Sequence, residues 1–599
     1  MSLDIEDINP NNDIYQDEDE DLDKYKIFVR KLYEFVVDNY GNPHLKKIFE
    51  KRLQRLGRES RFQLKKTLIV KVYKDMVANE EINNSPIFWK CIQKKPVRNT
   101  SGVNPITLMY SPYPNGNDFT CRFKCKYCQT HPEYPKSYGP DAPASARGIQ
   151  HDYDAIKQMN SNLRRLQENG HELDKLEMNY EGGTFSEIPQ DYIINFHRDT
   201  YYAANVFLDK EKRPKQSLDD EMALNQIAKI RIIGMTIETR PDTIDAEQLK
   251  FFRSLGVTRV QIGVQHTNDE ILKKSDRGHT YDQAVEATHL LKTNGFKVVH
   301  HYMTALPYAT PEDDTEMLGI VYNSTRGRPH EIKIYPYSVV GYSAFQKEYE
   351  EGKFTLYSDE EPEAFRAVMK YALEFCPPDI RICRAVRDIP TTYILGGCST
   401  PNLRQLIMED LEKEGRECSD MRSREISRRD NYNLEDAKYF ITKTTPNDYL
   451  ISLESIDRRA LFGFLRLRLN TPGDDAIVFQ ELYRTAIIEE LHVYSKSGML
   501  VPVGKKKEGA SQHCGVGKTL IKKAEWVAWL KGYYYMAVIS GEGVREYYGK
   551  QGYTYDNYGA GRFMIKDFKY PLDQELFITI ILFIIGIFII IWSSIVNIQ

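Results

Sequence analysis

Three cysteines within eight residues constrain this chain more than any other feature of its sequence. Cys121, Cys125 and Cys128 leave three residues between the first pair and two between the second. Three thiolates at this spacing can hold three irons of a 4Fe-4S cluster and leave the fourth iron open to the amino and carboxylate groups of S-adenosylmethionine. The spacing therefore predicts an enzyme that generates radicals.

Two other uses of these cysteines are disfavoured. A zinc ribbon needs a second cysteine pair or a histidine at matching spacing, and His131 is the only nearby candidate in the sequence. Cysteines that merely fill space are expected among apolar neighbours, whereas Arg122, Lys124 and Lys126 flank these ones.

Composition bounds the remaining possibilities. The 599 residues are enough for several domains, and nine cysteines without a signal peptide favour a reducing compartment over a disulfide framework. The net charge of -4 gives no global sign of nucleic-acid binding. Residues 46–74, however, carry eleven Lys or Arg against two acids, which fits an RNA-binding arm and a solvated helix face equally well.

The two ends of the chain differ from its middle. Residues 1–24 are rich in Asp, Glu and Asn and are predicted to form a disordered acidic tail. Residues 576–596 form an uncharged run of 21 residues, long enough at about 1.5 Å per residue to cross a bilayer. This run predicts a tail-anchored, single-pass membrane protein with its catalytic part in the cytosol, and a buried core helix is the alternative.

Between residues 100 and 345, short apolar runs alternate with amphipathic segments, which predicts a partial (βα) barrel of parallel strands. Active sites lie at the C-terminal strand ends of such barrels. We therefore expect Gly182, Gly183, Thr184, Glu238 and Gln265 to share one mouth with the cysteines. The Gly182-Gly183-Thr184 turn resembles the Gly-Gly-Glu turn with which radical S-adenosylmethionine enzymes contact the amino group of the cofactor. Glu238 and Gln265 are predicted to bind its ribose or carboxylate.

Beyond residue 430 the pattern changes to mixed strands and helices, which predicts a second α/β domain. Gln512, Gly515, Val516, Gly517 and Lys518 belong to a glycine loop that opens a helix, and bare amides there suit a pyrophosphate. The loop resembles the coenzyme A loop of the GNAT acetyltransferases. Tyr548 follows at a distance that favours a general acid for the leaving thiolate, with a core tyrosine as the alternative.

Several short motifs follow one another in order: Glu181-Gly182-Gly183-Thr184-Phe185, Thr236-Ile237-Glu238-Thr239-Arg240-Pro241-Asp242, Arg277-Gly278-His279-Thr280, Lys333-Ile334-Tyr335-Pro336 and Glu490-Leu491-His492-Val493-Tyr494. With a radical module before an acetyltransferase module, this order resembles the catalytic subunit of Elongator, which modifies the wobble uridine of tRNA. The resemblance implies a tRNA carboxymethyluridine synthase. In that reaction a deoxyadenosyl radical takes hydrogen from the methyl of acetyl-CoA, and the carbon radical adds to C5 of the uridine.

The resemblance also implies contacts and partners. Acetyl-CoA contacts fall on Lys175, Glu490, Leu491, His492, Val493, residues 516–518 and Tyr548, with Lys175 and Tyr548 as the catalytic residues. tRNA is the implied partner of the basic region, and Elongator-like subunits or a second copy are further candidates. The chain departs from the family where Gln129-Thr130-His131 replaces Pro-Gly-Gly after the cysteines.

The predicted organisation is an acidic tail (1–24), a basic helical region (25–99), a radical barrel (100–345), a connecting region (346–429), a GNAT domain (430–570) and a membrane anchor (576–596). In the connecting region, Cys376, Cys383, Cys398 and Cys418 fit either a structural zinc or buried thiols. Three rival functions stay open: another radical reaction on RNA such as methylthiolation, a protein lysine acetyltransferase with a structural first module, and a membrane-tethered tRNA-binding scaffold.

Overall fold

A computed structural model describes residues 18–60, 64–92, 102–116, 121–139, 142–386, 389, 393–429, 431–495, 515–556, 559–567 and 585–587. The chain divides into two compact units, one of residues 1–99 with 161–173 and one of residues 100–160 with 174–599. Residues 1–17 of the predicted acidic tail lie outside the described part, and the first helix begins at Glu18, inside that predicted tail.

The first unit contains four helices: α1 Glu18–Asp38, α2 Leu45–Ser60, α3 Lys66–Ala78 and α4 Pro86–Ile92. Apolar residues at helical spacing on α1, such as Val29, Leu32 and Val36, are buried with Phe49 and Phe88 in one core. Most of the cations between residues 46 and 74 point to solvent on the opposite side of α2 and α3. The basic stretch is therefore helical, and its role in RNA binding stays a prediction.

The first sheet of the second unit has seven strands in the order β1-β2-β3-β4-β5-β6-β8, and all neighbours are parallel. The strands are β1 Asn104–Met109, β2 Lys175–Glu181, β3 Arg231–Thr239, β4 Arg259–Gln265, β5 Lys297–Tyr302, β6 Glu331–Ile334 and β8 Arg381–Arg384, with a separate antiparallel pair of β7 Ser338–Val340 and β9 Ile394–Gly397. The intervening helices are α5 Pro143–Gln150, α6 Ala155–Glu168, α7 Gln190–Val206, α8 Leu218–Asn225, α9 Ala246–Ser254, α10 Asp269–Lys274, α11 Tyr281–Thr293, α12 Pro311–Asn323, α13 Ala344–Glu350, α14 Tyr357–Glu360, α15 Pro362–Glu374, α16 Leu403–Lys413 and α17 Met421–Arg424. The predicted partial barrel of parallel strands is confirmed.

Side chains alternate along these strands. In β2, Leu176, Met178 and Tyr180 are buried, and the charged or polar residues between them face the other side. Lys333 of β6 reaches Glu238 of β3 at 3.4 Å, although two strands separate β3 from β6 in the sheet. Such a contact has to cross the concave face, so the interior of the barrel is polar.

The second sheet runs β10-β11-β12-β13-β14-β16-β15 and is antiparallel except for the parallel pair β13 and β14. Its strands are β10 Ala437–Lys443, β11 Asp448–Ser455, β12 Leu461–Leu469, β13 Thr485–Val493, β14 Tyr535–Val538, β15 Thr554–Tyr555 and β16 Met564–Asp567, with helices α18 Val516–Leu530 and α19 Arg545–Gly549. The register joins β13 to β14 over Thr485–Ile488, so residues 490–493 lie beyond that pairing. This leaves the end of β13 next to the start of α18.

The prediction of a C-terminal transmembrane helix is wrong by the structural evidence: within the described ranges, no helix combines the length and the apolar character needed to cross a bilayer. Of residues 576–596 the structure describes only 585–587, and the others lie outside it. A hydropathy run shows only that a span has the right composition, whereas a transmembrane helix also needs a continuous helix of sufficient length. The predicted membrane localisation is withdrawn with the helix.

Candidate active site

The three cysteines line a pocket that opens to solvent at the C-terminal ends of β2, β3, β4 and β5. The predicted residues that line the same pocket are Gly183, Thr184, Glu238 and Gln265. The pocket also includes Arg240, Gln261, Arg277 and His301. The structure thus brings together the cysteine loop and the strand ends that the barrel prediction places beside it.

The β2 turn comes close to the cysteine loop. Thr184 Oγ1 lies 3.5 Å from the Sγ of the buried Cys121. Gly182 has φ +145°, and a Cβ there would lie 2.9 Å from the Cβ of Tyr110 on the neighbouring strand end. Only glycine fits this turn, because a side chain would collide with Tyr110.

Two arginines donate to the middle cysteine. Nη1 of Arg240 lies 3.2 Å from Cys125 Sγ, and Nη1 of Arg277 lies 3.4 Å from it. Burial raises the pKa of the Cys125 thiol, but the charges of Arg277 and Arg240 outweigh burial and leave the pKa below its ordinary value. Iron–sulfur clusters bind thiolates, so this donor set fits a 4Fe-4S cluster.

Both arginines are held in place. Arg240 donates to both carboxylate oxygens of Asp242 at 2.9 and 2.8 Å and lies 3.5 Å from the centroid of the Phe123 ring. Arg277 donates to the Gly263 carbonyl at 2.5 Å and to His279 Nε2 at 3.0 Å. Sequence reasoning quoted both arginines in motifs and assigned neither a role in the site. Arg240 directly follows β3, so its position was a usable signal, whereas Arg277 follows α10 and had none.

A second polar cluster includes Glu238. Tyr138 Oη donates to one Glu238 oxygen at 2.7 Å, and Lys333 Nζ lies 3.4 Å from the other. Burial, and then the charge of Glu238, raise the pKa of Glu181 to about 7. Glu181 and Lys333 are site residues that sequence reasoning quoted in motifs but assigned no role.

Gln265 has a left-handed backbone, with φ +74°, and its carbonyl accepts from Met303 N at 2.7 Å. A Cβ on Gly263 would lie 2.6 Å from the side-chain nitrogen Nε2 of Gln265 and 2.8 Å from Arg277 Nη2. Strained backbone of this kind gathers at functional sites because it aims a side chain that regular geometry would turn away.

Glu490, a predicted acetyl-CoA contact, lies at the junction of the two sheets. It accepts from Lys297 of β5 and, at 3.0 Å, from Arg466 Nε of β12. Burial raises the pKa of Glu490, but Lys297 and Arg466 outweigh burial and lower the pKa to about 2. Glu490 is therefore ionised and neutralised by one cation from each sheet.

Lys175 is the first residue of β2, at the opposite end of that strand from the Gly182 turn. A strand of this length spans roughly 20 Å, so Lys175 lies far from the cysteine pocket. Its register partner on β3 is Arg231, whose Nη1 lies 3.5 Å from Glu546 of α19. Lys175 thus belongs to the barrel end that meets the second sheet.

The start of α18 approaches α19 closely. Gly515 caps α18 with φ +84°, and a Cβ on Gly517 would lie 2.6 Å from the hydroxyl of Tyr547 and 3.8 Å from Leu491. The adjacent Tyr548 is buried, and burial raises its pKa, so its hydroxyl keeps its proton at neutral pH. Val516 is buried at the same helix start. Gln512, a predicted member of the glycine loop, lies outside the described residues. The centroid of the His492 ring lies 4.4 Å from that of the Tyr494 ring.

The predicted zinc site gains no support. Among the side chains that the structure describes, no group of three or more His, Cys, Asp or Glu is arranged to hold a single metal ion. Cys383 donates instead to Glu331 Oε2 at 3.1 Å, and burial raises the pKa of its thiol. A 4Fe-4S cluster is a different case, because each thiolate binds its own iron.

Three thiols at the mouth of a parallel half-barrel, with cations that favour thiolates, define a radical S-adenosylmethionine enzyme. The family model of the Radical SAM superfamily matches residues 119–319, and the Radical_SAM C-terminal domain matches residues 329–413. The chain belongs to the family of the tRNA uridine(34) acetyltransferases and Elongator complex protein 3. The superfamily implies a 4Fe-4S cluster and S-adenosylmethionine as cofactors.

The relatives match over most of their length. The tRNA uridine(34) acetyltransferase of Dehalococcoides mccartyi is 34% identical over 468 residues, which cover 77% of this chain and 97% of that protein. Elongator complex protein 3 of Homo sapiens is 31% identical over 510 residues, or 83% of this chain and 89% of that protein. The solved structure of Methanocaldococcus infernus Elp3 with an N-terminal deletion has a TM-score of 0.65 at 29% identity and covers 78% of this chain and 99% of that one.

Proposed function

We propose that this enzyme is a tRNA carboxymethyluridine synthase that modifies C5 of the wobble uridine with S-adenosylmethionine and acetyl-CoA. One observation supports the proposal: the same compact unit holds a cysteine pocket at one end of its barrel and, in its second sheet domain, a helix start that Gly515 caps without a side-chain cap. Each module alone fits many reactions. Together they fit the family to which the chain belongs.

In this proposal, Cys121, Cys125 and Cys128 hold the cluster. When bound, the cluster supplies the electron that cleaves S-adenosylmethionine and so yields a radical able to take hydrogen from the acetyl methyl. Arg240 and Arg277 stabilise the Cys125 thiolate by charge and by hydrogen bonds.

Other pocket residues bind and orient the sulfonium cofactor. The backbone of Gly182 to Thr184 contacts its amino group. Glu238 and Gln265 take its ribose or carboxylate, with Tyr138 and Lys333 fixing the orientation of Glu238.

The acetyl donor lies at the second site. The amides at the start of α18, from Val516 to Lys518, bind the pyrophosphate, since the positive end of a helix favours an anion. After the acetyl carbon has bonded to the uridine, water hydrolyses the thioester to the carboxylate, and Tyr548 gives its proton to the leaving thiolate. Leu491 to Val493 flank the pantetheine, Glu490 holds β13 against the barrel, and Lys175 acts on the donor from the barrel end.

tRNA binds along the basic residues 46–74, with Elongator-like subunits or a second copy as further partners.

The full chain, reconstituted anaerobically with iron and sulfide, tests the proposal. It is incubated with S-adenosylmethionine, acetyl-CoA, reductant and tRNA, and the nucleosides are analysed by mass spectrometry. We expect a carboxymethyl mass on uridine that needs both cofactors, is lost in Cys125→Ser and persists in the matched variant Cys398→Ser. Zinc content of the same two variants tests the prediction for Cys376, Cys383, Cys398 and Cys418.

Other outcomes point elsewhere. Peptide acetylation that survives Cys125→Ser, without modified uridine, would support the protein lysine acetyltransferase. Deoxyadenosine formation without a carboxymethyl product would support another radical reaction on RNA.

A further inference from the structure

Three aromatic rings form a cluster just after the last cysteine of the loop. The ring of His131 lies 4.7 Å from that of Tyr134 and 4.5 Å from that of Tyr342, both edge to face. Tyr342 is 59% exposed, although its ring is large and apolar. We refer to His131, Tyr134 and Tyr342 as the aromatic cluster.

Backbone hydrogen bonds fix the aromatic cluster to the cysteine loop. Thr130 N donates to the Tyr342 carbonyl at 2.9 Å, and Phe345 N donates to the Lys126 carbonyl at 3.0 Å. Lys126 lies between Cys125 and Cys128 in the chain. The rings therefore keep a fixed place beside the pocket mouth.

The conformation of Tyr342 is costly. Its φ of +62° lies in the left-handed region that glycine prefers, yet a tyrosine occupies it. The Tyr342 amide donates to Gln346 Oε1 at 2.9 Å, which holds the turn. An exposed aromatic ring on strained backbone gains little for the fold, so its benefit is expected from a ligand.

The cluster is suited to stacking rather than to binding phosphate. Glu133 N donates to His131 Nδ1 at 3.2 Å, which fixes the orientation of the ring. Glu133 itself is exposed beside the rings, and its carboxylate disfavours a phosphate there. Unpaired bases, by contrast, stack on aromatic rings with little dependence on sequence.

We propose that the aromatic cluster, with Tyr342 outermost, stacks a nucleotide that flanks the target uridine in the anticodon loop. This inference rests on the proposed function. Moving one uridine into the pocket unstacks its neighbours, and a ring at the mouth replaces the lost stacking. The residues that depart from the family pattern after the cysteines, Gln129 to His131, then belong to the substrate surface.

The test uses the full chain and an RNA hairpin with the anticodon loop, carrying 2-aminopurine next to the target uridine. Fluorescence quenching reports stacking and anisotropy reports affinity. We expect Tyr342→Leu to weaken binding about tenfold and to remove the quenching, because one stacked base contributes about this much. Tyr342→Phe keeps the ring and should preserve both signals. Tyr483→Leu, at a 55% exposed tyrosine before β13, should change neither.

An abasic nucleotide at the flanking position supplies the second change of a double-mutant cycle, with Tyr342→Leu as the first. We expect it to weaken binding of the unaltered protein about tenfold and to leave Tyr342→Leu unchanged, since the shared contact is already lost. Unchanged quenching in Tyr342→Leu, or equal binding of the abasic hairpin by the unaltered protein, would overturn the inference and favour a protein partner for the rings. Quenching is read without turnover, so a failure of uridine modification is distinguishable from a failure of stacking.

Discussion

The two ends of the barrel use their charged residues differently. At the C-terminal end, Arg240 and Arg277 face a thiol and leave a pocket open beside it. At the N-terminal end, Lys297 is neutralised by Glu331 at 2.9 Å and by Glu490 of the second sheet. Cations at the C-terminal end, which we call the open end, therefore face a thiol beside a pocket, whereas Lys297 at the other end pairs with anions from both sheets.

The difference also separates function from stability. At the N-terminal end of the barrel, which we call the closed end, ion pairs are buried. Removing one partner of such a pair strongly lowers the free energy of unfolding, because the other charge is left without compensation. At the open end, two guanidinium groups face one thiol beside a pocket, and a ligand that binds there adds stability. Five expectations, beginning with Cys125→Ser above, test this contrast.

The largest further effect is expected at the open end from Arg277→Gln. The variant loses the charge beside Cys125 and the anchor to Gly263, and hydrogen bonds to charged groups contribute about 1.5–3 kcal/mol. Deoxyadenosine formation by the reconstituted enzyme should fall about 100-fold. Lys297→Met at the other end serves as the comparison and should retain most of this cleavage. Equal losses in both variants would remove the functional distinction between the ends.

At the closed end, Asp448→Asn should destabilise the protein by about 3 kcal/mol in urea unfolding. Asp448 is buried and accepts from Lys292 and Arg468 at 2.7 Å each, one from either side of the joint. Asp152→Asn removes an exposed pair with Lys157 and should change stability by less than about 0.5 kcal/mol. Similar changes in unfolding free energy for the two variants would argue against charge as the interaction that holds the barrel and the second sheet together.

The Asp448 carboxylate also predicts that the contact between the barrel and the second sheet weakens in acid. Burial raises the pKa of Asp448, but Lys292 and Arg468 outweigh burial and hold the pKa well below its usual range. A lowered folded pKa adds stability above about pH 4, and this stability is lost as the pH falls toward the folded value. Glu490 adds to the same loss between about pH 4 and 2. Melting temperatures from pH 7 to 3 should therefore fall less steeply in Asp448→Asn than in the unaltered protein.

The smallest effect is expected from Glu181→Gln at the open end. Because the pKa of Glu181 is raised to about 7, the folded protein binds its proton more tightly than the unfolded chain does, and stability falls as the pH rises from about 4 to 7. The amide removes this penalty and should stabilise the protein at pH 8 by about 1 kcal/mol. No gain at pH 8, or a gain that is larger at pH 5, would contradict this assignment.

Much of the fold and part of the site are readable in the sequence. The strands near Lys175, Arg259 and Lys297 follow from the short apolar runs that alternate with amphipathic segments along the chain. The cysteine spacing leads to the pocket without further information. The partners of Arg277 and Glu490 do not follow in this way, because they lie far away in the chain. The place of Lys175 is a related case: it lies near Gly182 in sequence, whereas the strand places it at the other end of the barrel, and its role toward acetyl-CoA stays a prediction.

The sequence by itself determined the parallel strands, the grouping of the three thiols and the glycine turns, since each depends on residue spacing within one element. Tertiary structure alone decided which arginines reach Cys125, that Glu490 joins the two sheets, and that Tyr342 stands beside the cysteine loop. Periodicity specifies which face of a strand a residue occupies. Only closure of the sheet brings the faces of distant strands within the few ångströms over which charges and rings interact.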